Sequence, residues 1–274
     1  MNIMVIGAHP DDCEFYAGCT AVRFVGHGHR VMFVSVSNGD AGHHEIAPSE
    51  LARIRRAEVE QADRILGVGF VILDNHDGEI VPSLEIRRQL IRLIREFHAD
   101  MVISHRPHDY HPDHRNTGIL VQDTAYLVIV PGICPDATAL RKNPIYLYLQ
   151  DEFASPEPFR PDIIVPVDDT FHLKVDALHC MPSQFYEWLP WSMGMLDRVP
   201  SGETERRQWL DGILRQWMRN PFRAELEAMY GSERAASIDM VEAFQLCEYG
   251  RRPSIGELHS MFPGLPGRVD LSNK

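Results

Sequence analysis

Short apolar runs alternate with stretches of helical periodicity through the first two thirds of the chain. The apolar runs are rich in β-branched residues, which favour strands. They cover Asn2 to Gly7, Val31 to Val36, Phe70 to Leu73, Met101 to Ser104, Ile145 to Leu149 and Ile163 to Val167. Strands that are separated by helices usually pair in parallel, with the helices packed on both faces of the sheet. The pattern therefore predicts an α/β protein with a doubly wound, mostly parallel sheet.

One stretch between these runs has the spacing of an amphipathic helix. Ser83 is a suitable N-cap, because its side-chain oxygen can accept a hydrogen bond from an amide in the first turn. Beyond it, apolar side chains recur on one face, namely Ile86, Leu90, Leu93, Ile94 and Phe97. We expect that face to pack on the sheet.

The character of the chain changes after about Pro182. All four tryptophans lie beyond this point, at positions 188, 191, 209 and 217. Helical patterns, such as Thr204 to Met218 and Ala235 to Tyr249, replace the strand-like runs. We predict an α/β catalytic domain over residues 1–184 and a helical, tryptophan-rich extension over residues 185–274, packed on that domain. The tryptophans could roof a pocket, form a subunit interface or lie in the core.

Composition and charge narrow the class of protein. With 39 acidic against 27 basic side chains, the 274-residue chain has a formal net charge of −12, which opposes binding to nucleic acid. No apolar run is long enough to cross a bilayer, so no membrane span is expected. The five cysteines are scattered and form no CxxC pair, which argues against disulfides and thiolate zinc sites. Together with an N-terminus unlike a signal peptide, these features predict a cytoplasmic protein.

Two polar clusters carry the candidate chemistry, and each directly follows a predicted strand. The first is HPDDCE, from His9 to Glu14, and the second is HRPHDYHPDH, from His105 to His114. In an open α/β sheet the first and fourth strands are neighbours, and ligands bind outside their carboxyl ends. The two clusters are therefore expected to meet. Imidazoles and carboxylates together are typical of a catalytic zinc site, which indicates metal-assisted hydrolysis.

The spacing within the clusters suggests how the side chains divide the chemistry. His9 and Asp12 are three residues apart, and the two histidines of the HPDH motif have the same spacing. One turn of chain can thus bring each pair to one side of a pocket. Adjacent carboxylates at Asp11 and Asp12 allow one to bind a cation while the other accepts a proton from water. Asp113 could orient a histidine through its second ring nitrogen.

Over about residues 1–185, the chain resembles the PIG-L/LmbE-like family of zinc-dependent N-deacetylases. The resemblance rests on the segment VIGAHPDDCEFYAGCTAVRFVGHGHRVMFVSVSNGDAGH, followed by HPDH after the fourth strand. It implies a Rossmann-like sheet and removal of an acetyl or other small acyl group from an N-acylated sugar or sugar conjugate, such as an N-acetylglucosamine conjugate. It also implies a homo-oligomer, because related enzymes include oligomers.

The resemblance assigns roles to the motif residues. The family's zinc ligands fall on His9, Asp12 and His114. The general base falls on Asp11. His111 matches the histidine that stabilises the oxyanion or protonates the leaving amine, and Asp113 matches the carboxylate that supports this histidine. Zinc is the expected metal, with Fe²⁺ as an alternative, because this ligand set suits several divalent ions.

Four further charged residues are candidates for substrate binding or for structure. Arg55 and Glu58 share a helical stripe with apolar residues between Ser49 and Gly67. They either form a structural ion pair or place Arg55 in the site to hold a substrate oxygen, which is the role that the resemblance implies. Asp40 and Asp77 follow the second and third strands at the same sheet edge. They are candidate binders of sugar hydroxyls, with turn formation as the alternative.

One position departs from the family pattern. Many relatives carry a histidine two residues before a Ser-Gln pair, and Met181 stands there, before Ser183 and Gln184. His179 is a candidate replacement. The departure keeps open a different hydrolytic or acid/base reaction at the same metal site, on a glycoside or natural product. A non-catalytic nucleotide- or sugar-binding module is the remaining alternative, although the chain has neither GxGxxG after its first strand nor GxxxxGK[ST].

Overall fold

A computed structural model of the protein describes residues 1–262 and 264–265. Within these residues one sheet contains seven strands in the order β3-β2-β1-β4-β5-β7-β6. The strands are β1 (Asn2–Gly7), β2 (Arg30–Ser37), β3 (Gly69–Asn75), β4 (Met101–Ser104), β5 (Ile145–Leu149), β6 (Ile163–Pro166) and β7 (Val241–Leu246). Strands β1 to β5 pair in parallel, whereas β7 is antiparallel to both of its neighbours. The predicted doubly wound, mostly parallel sheet is confirmed.

Helices cover both faces of this sheet. They are α1 (Asp12–Gly26), α2 (Pro48–Leu66), α3 (Leu84–Glu96), α4 (Pro112–Thr124), α5 (Phe171–His179), α6 (Leu189–Ser192), α7 (Glu203–Trp217), α8 (Arg223–Tyr230), α9 (Ser232–Ala236) and α10 (Ile255–Met261). A π-helical turn, Ser183–Trp188, precedes α6. None of the described helices is long and apolar enough to cross a membrane.

Strand β1 lies in the interior of the sheet and is buried on both faces. Ile3 and Val5 belong to the core cluster that packs under α1, α2, α5 and α7. Met4 and Ile6 face the opposite cluster, under α3 and α4. Because side chains alternate along a strand, a fully apolar strand such as β1 is suited to a position between two helical layers.

Helix α3 begins as its sequence predicts. The Ser83 side chain accepts a hydrogen bond from the amide of Ile86, 3.2 Å away. Ile86 and Leu90 are buried on the sheet face. Arg95 is also buried, and its guanidinium donates six hydrogen bonds to backbone carbonyls between residues 127 and 137. This arginine therefore holds the connection that follows α4 against the end of α3.

The predicted helix from Ala235 to Tyr249 is wrong. Only its start is helical, and residues 241–246 form strand β7 between β5 and β6. Alanine, glutamate, glutamine and leucine favour helices, so the local sequence of β7 points away from a strand. Pairing with two neighbouring strands overrides this preference, because β7 is buried on both faces. The strands thus continue beyond residue 182.

Strand β7 also bears on the predicted division of the chain. Helix α7 (Glu203–Trp217) agrees with the helix predicted over Thr204 to Met218. However, the segment beyond residue 184 is not purely helical, because it contributes β7 to the same sheet as residues 2–166. The boundary at residue 184 stays a prediction.

The strand order brings the two polar clusters together. Strands β1 and β4 are parallel neighbours, with Ile6 opposite Ser104 near their carboxyl ends. The first cluster continues from β1 into α1, and the second continues from β4 into α4. Both loops therefore leave the sheet at the same edge, where successive strands are added on opposite sides of β1.

Candidate metal centre

Three side chains from the two clusters converge at the carboxyl edge of the sheet. His9 Nδ1 lies 3.2 Å from His114 Nε2. The Asp12 carboxylate lies 3.5 Å from His9 Nδ1 and 3.3 Å from His114 Nε2. His9 comes from the loop after β1, Asp12 from the first turn of α1, and His114 from the first turn of α4. The chain thus brings two imidazole nitrogens and a carboxylate to one point.

The spacing of these three groups fits a metal ion. Around a tetrahedral zinc ion with bonds of about 2.0–2.1 Å, neighbouring ligand atoms lie about 3.3 Å apart. The two histidine nitrogens, 3.2 Å apart, are close to this value, and Asp12 places one oxygen near each of them, Oδ2 at 3.5 Å from His9 Nδ1 and Oδ1 at 3.3 Å from His114 Nε2. Two imidazole nitrogens that face each other can bind the same cation, and the cation removes the repulsion between their lone pairs. The donor set therefore suits a divalent ion.

Carboxylates lie beside the far nitrogens of both histidines. His9 Nε2 is 3.1 Å from Asp77 Oδ1 and 3.4 Å from Asp113 Oδ2. His114 Nδ1 is 3.1 Å from Asp109 Oδ2. A carboxylate in this position holds the ring proton on the far nitrogen, so that the near nitrogen keeps its lone pair for a metal. Each histidine is thereby oriented as a ligand.

Asp12 is fixed by backbone amides and a third histidine. Its Oδ2 accepts hydrogen bonds from the amides of Ala8 and His9, at 2.9 and 2.8 Å. His105 Nε2 lies 3.2 Å from the same oxygen. Burial opposes ionisation of this carboxyl, but the neighbouring His114 and His105 lower the pKa of Asp12 well below its usual value. Burial alone lowers the pKa of His114, but the Asp12 and Asp109 carboxylates raise this pKa to about 9.

Asp11 stands beside this cluster without being part of it. Its Oδ2 lies 2.7 Å from Arg55 Nη2, and both residues line the cavity over the site. Burial raises the pKa of the Asp11 carboxyl, and the positive charge of Arg55 limits that rise. Oδ1 is thus the oxygen that Arg55 leaves available to a ligand.

Asp113 does not make the expected contact with His111. Its carboxylate accepts hydrogen bonds from the amides of Gly78 and Ile80, at 2.7 and 3.2 Å, and faces His9 instead. The contact with His111 runs through the backbone, because the amide of Asp113 donates to His111 Nδ1 at 3.2 Å. His111 is the N-cap of α4, and its Nδ1 is used in this capping hydrogen bond. The spacing alone led us to expect that Asp113 orients a histidine. Asp113 does so, but the histidine is His9.

The residues expected to bind substrate separate into two groups. Arg55 and Asp77 line the cavity, and both are buried. Asp40 lies behind them, where its carboxylate accepts from the amide of Asp77 at 3.0 Å and contacts the ring of His76. Asp40 therefore orders the loop that carries Asp77, in agreement with the turn-forming alternative.

The ion pair considered for Arg55 and Glu58 is not formed. Glu58 accepts hydrogen bonds from the backbone amide and the hydroxyl of Ser183, at 2.9 and 2.6 Å. Arg55 pairs with Asp11 and donates to the carbonyl of Pro10, at 3.1 Å. Both charged side chains lie on the buried face of α2, and each has its own partner there. Arg55 binds the loop after β1, and Glu58 binds the π-helical turn at Ser183.

The position of the missing family histidine is filled by core packing. Met181 is 1% exposed and belongs to the core cluster under α1 and α2. His179 lies away from the metal cavity, where its ring contacts the hydroxyl of Tyr186 and the carboxylate of Glu203. His179 thus does not replace the missing histidine.

A cavity of about 440 Å³ opens over the candidate metal ligands. Two of the four tryptophans, Trp188 and Trp217, line it. Trp191 is 47% exposed and stacks on His44, with ring centroids 4.7 Å apart. Trp209 packs against the core. The tryptophans therefore divide between the pocket wall, the surface and the core.

Two residues that contact the ligands escaped the sequence-based assignment. His105 contacts Asp12 and stacks on the ring of His114, with centroids 4.1 Å apart. Asp109 orients His114 and also accepts from the amide of His111, at 2.9 Å. Both lie inside the HRPHDYHPDH motif, so their nearness in sequence was a signal. Their roles depend on which way the loop turns, which composition does not reveal.

Residues 4–125 match the sequence model of the PIG-L family, described as GlcNAc-PI de-N-acetylase. This segment contains every residue of the cluster described above. A curated relative, diacetylchitobiose deacetylase from Thermococcus kodakarensis, is 26% identical over 198 residues, which cover 69% of this chain and 73% of the relative. A second relative, 4-oxalmesaconate hydratase from Pseudomonas putida, is 24% identical over 68% of this chain and 75% of its own length.

A solved structure shares the fold over most of the chain. The N,N'-diacetylchitobiose deacetylase from Pyrococcus horikoshii superimposes with a TM-score of 0.70 at 24% identity. The match covers 90% of this chain and 84% of that protein. It therefore extends well beyond residue 125, into the segment that carries β7.

Proposed function

Because residues 4–125 of this chain form a PIG-L family domain, we propose that the protein is a metal-dependent hydrolase acting on an N-acylated sugar or sugar conjugate. It removes an acetyl or other small acyl group. The observation that carries the proposal is the convergence of His9, Asp12 and His114 next to a separate carboxylate, Asp11. Ligands and a proton acceptor are the two components that metal-assisted amide hydrolysis requires.

Asp11 is the proton acceptor in this scheme. When bound, a divalent cation supplies Lewis acidity, which polarises a carbonyl and acidifies water. Arg55 holds Asp11 Oδ2, so Oδ1 takes the proton as water attacks the acyl carbon. When the C–N bond breaks, the same oxygen can return the proton to the leaving amine. One carboxylate thus serves in both half-reactions.

His111 stabilises the negative charge that develops on the acyl oxygen. Its Nδ1 accepts a hydrogen bond from the amide of Asp113, so a neutral ring carries its proton on Nε2. His111 lines the cavity, and an Nε2–H group there can donate a hydrogen bond to the oxyanion. Burial together with His9 and His114 lowers the pKa of His111, which agrees with a neutral ring. This arrangement supports the oxyanion role over delivery of a proton to the amine.

The proposal has three finer parts. Zinc is the metal, since two imidazoles and one carboxylate leave an open tetrahedral position. The location is cytoplasmic, which is supported by five cysteines that are all free. The protein is a homo-oligomer, which is supported by three large apolar side chains exposed close together in sequence, Trp191, Met193 and Leu196.

The hydratase relative supports a second candidate, the addition of water to a carbon–carbon double bond with the same acid/base residues. An oxalmesaconate carries several carboxylates, which require cationic partners. Among the described residues that line the cavity, Arg55 is the sole lysine or arginine, and it is paired with Asp11. The charge of the cavity therefore favours deacylation of a neutral amide.

The test combines metal analysis with acetate release. The purified protein is assayed on a panel of N-acetylglucosamine derivatives, with and without added zinc. We expect about one metal ion per chain and release of acetate. Bound metal with water addition to an unsaturated acid, and no acetate, would favour the hydratase. Absence of both metal and acetate after zinc is added would contradict the proposal and favour a binding module.

A further inference from the structure

A second cavity of about 400 Å³ lies beside the cavity over the metal ligands. The two cavities share five lining residues, which are Phe15, Tyr16, Tyr110, Met193 and Trp217. The shared residues show that the two cavities adjoin, so a molecule that passes over these residues can occupy both. Each cavity has the size of a small-molecule site, about 300–1,000 Å³. The second cavity can therefore hold a further ring of the molecule whose acyl group reaches the metal.

Aromatic rings line much of the second cavity. Phe15, Tyr110, Phe153 and Trp217 all contribute to its surface. The rings of Tyr110 and Phe153 have centroids 6.1 Å apart. The negative face of an aromatic ring attracts a nearby ammonium group, and several such rings together form the usual site for it.

The carboxylates of the second cavity leave one negative charge in excess. Asp151 is held by Arg106, and Glu242 is held by Lys174. Glu152 is exposed and has no ion-pair partner among the described residues. No lysine or arginine occurs among the described lining residues. A phosphate or carboxylate in this cavity would meet repulsion, whereas a cation would meet both Glu152 and the aromatic rings.

We propose that the second cavity binds a protonated amino group on the distal ring of the substrate, so that the preferred substrate is an N-acylated conjugate of an amino sugar. Two separate features support this choice, the aromatic lining and the Glu152 carboxylate, for which the described part of the chain supplies no ion-pair partner. The inference rests on the proposed function only in that the acyl group of the same molecule is cleaved at the metal centre.

Binding of two matched disaccharides tests the inference directly. N-acetylglucosamine linked β-1,4 to glucosamine carries an ammonium group on its distal ring, and the same sugar linked to glucose carries a hydroxyl there. Dissociation constants are measured by calorimetry on the zinc-loaded Asp11→Asn protein, slightly below neutral pH, where a primary amine is charged. We expect the ammonium form to bind about fivefold more tightly, as for a cation near aromatic rings and one carboxylate. N-acetylglucosamine 1-phosphate should bind more weakly than either.

Charge substitutions at residue 152 identify the origin of this preference. Glu152→Gln should reduce the ratio of the two dissociation constants, and Glu152→Lys should bring it to about one or below. Glu157→Lys is the matched control, because Glu157 is exposed on the same loop and lines neither cavity in the described structure. This control should keep the wild-type ratio. Phe153→Ala should weaken binding of the ammonium form more than binding of the hydroxyl form.

The outcomes separate this inference from the proposed function. Equal binding of the two disaccharides, or a ratio that Glu152→Lys leaves unchanged, would overturn the inference even if acetate is released. A fivefold preference that Glu152→Lys abolishes would support it even if turnover is absent. Turnover itself is measured separately on monomeric N-acetylglucosamine with the wild-type protein, and the control variant Glu157→Lys should leave that activity unchanged.

Discussion

Lys174 Nζ in α5 lies 2.6 Å from Glu242 Oε1 in β7, and both side chains are fully buried. The pair is inserted against the backbone of α1. Glu242 accepts hydrogen bonds from the amides of Cys19 and Thr20, at 2.9 and 2.7 Å, while Lys174 donates to the carbonyl of Phe15 at 2.5 Å. Helix α1 begins with Asp12 and presents Phe15 to both cavities. The strand that the sequence does not predict is thereby tied to the helix that carries Asp12, a proposed metal ligand.

Loss of one member of this pair should destabilise the protein strongly. Glu242→Gln leaves the Lys174 ammonium buried without a counter-charge, which typically costs about 3–5 kcal/mol of unfolding free energy. Adding Lys174→Met should restore part of the loss, because it removes the unpaired buried charge, although the single glutamine oxygen replaces two carboxylate oxygens that accept from the α1 amides. Urea unfolding measures the effect. Glu60→Gln is the control, since its pair with Arg64 is on the surface and should contribute about 1 kcal/mol or less. Equal effects at the two sites would contradict the prediction.

Arg95→Met should release the connection between residues 127 and 137. The six carbonyls that Arg95 binds would lose their donor in a buried place, and we expect a loss of at least about 3 kcal/mol in unfolding free energy. Hydrogen exchange should rise in that connection. Arg88→Met on the exposed side of the same helix should change stability by less than about 0.5 kcal/mol. A stable Arg95→Met protein would mean that the carbonyls find other donors.

Substitutions in the two clusters should separate metal binding from catalysis. Asp11→Asn should keep the metal and reduce kcat by about 10²–10⁴-fold, because the amide does not accept a proton. His114→Ala should lose both metal and turnover. Metal content by elemental analysis and acetate release on the same samples check this. Full activity in either variant would exclude the assigned roles.

Asp109→Asn should weaken metal binding by about 10–100-fold while the fold is retained. The reason is the loss of the carboxylate that keeps the His114 ring proton on Nδ1. Competition with a zinc-binding dye measures the affinity. Asp123→Asn removes a carboxylate from α4, the helix that carries His114, where Asp123 pairs with Arg87 at the surface, and should not change the affinity.

Chelation should lower the melting temperature. A ligand present at about 100 times its dissociation constant adds about 2.7 kcal/mol, which corresponds to roughly 5–10 °C for a chain of this size. Differential scanning calorimetry with and without zinc gives the difference. The shift should vanish in Asp12→Asn, since an amide is a poor ligand in place of the carboxylate. A shift that persists in this variant would place the metal elsewhere.

Most of the fold follows from local pattern. The six runs of β-branched residues, from Asn2–Gly7 to the run at Ile163, are strands because their apolar side chains fill both faces of a sheet. Strand β7 could not be recognised in the same way. Its Glu242 and Gln245 are polar, and the burial of Glu242 depends on Lys174, about 70 residues away in sequence. A buried ion pair leaves no periodic signal.

The candidate site shows the same division between local and distant information. The meeting of His9 with His114 follows from strand order, because β1 and β4 are neighbours. The partner of Asp113 could not be read from spacing, since the loop conformation at His111 decides which ring its carboxylate faces. Similarly, Arg55 lies close to Glu58 on one helix, yet the loop after β1 supplies its partner, Asp11.

The position of β7 has a consequence for the order in which the protein folds during synthesis. Among the described strands β6 pairs only with β7, and β7 lies about 75 residues later in the chain. While the chain emerges from the ribosome, residues 1–149 can assemble the parallel part of the sheet, but β6 then has no neighbour to pair with. The sheet closes only when residues 241–246 insert between β5 and β6. Long-range pairing of this kind slows folding and leaves strand edges exposed in the meantime. A nascent chain released before residue 241 would therefore leave one edge of β5 and the whole of β6 unpaired, and would be prone to aggregate.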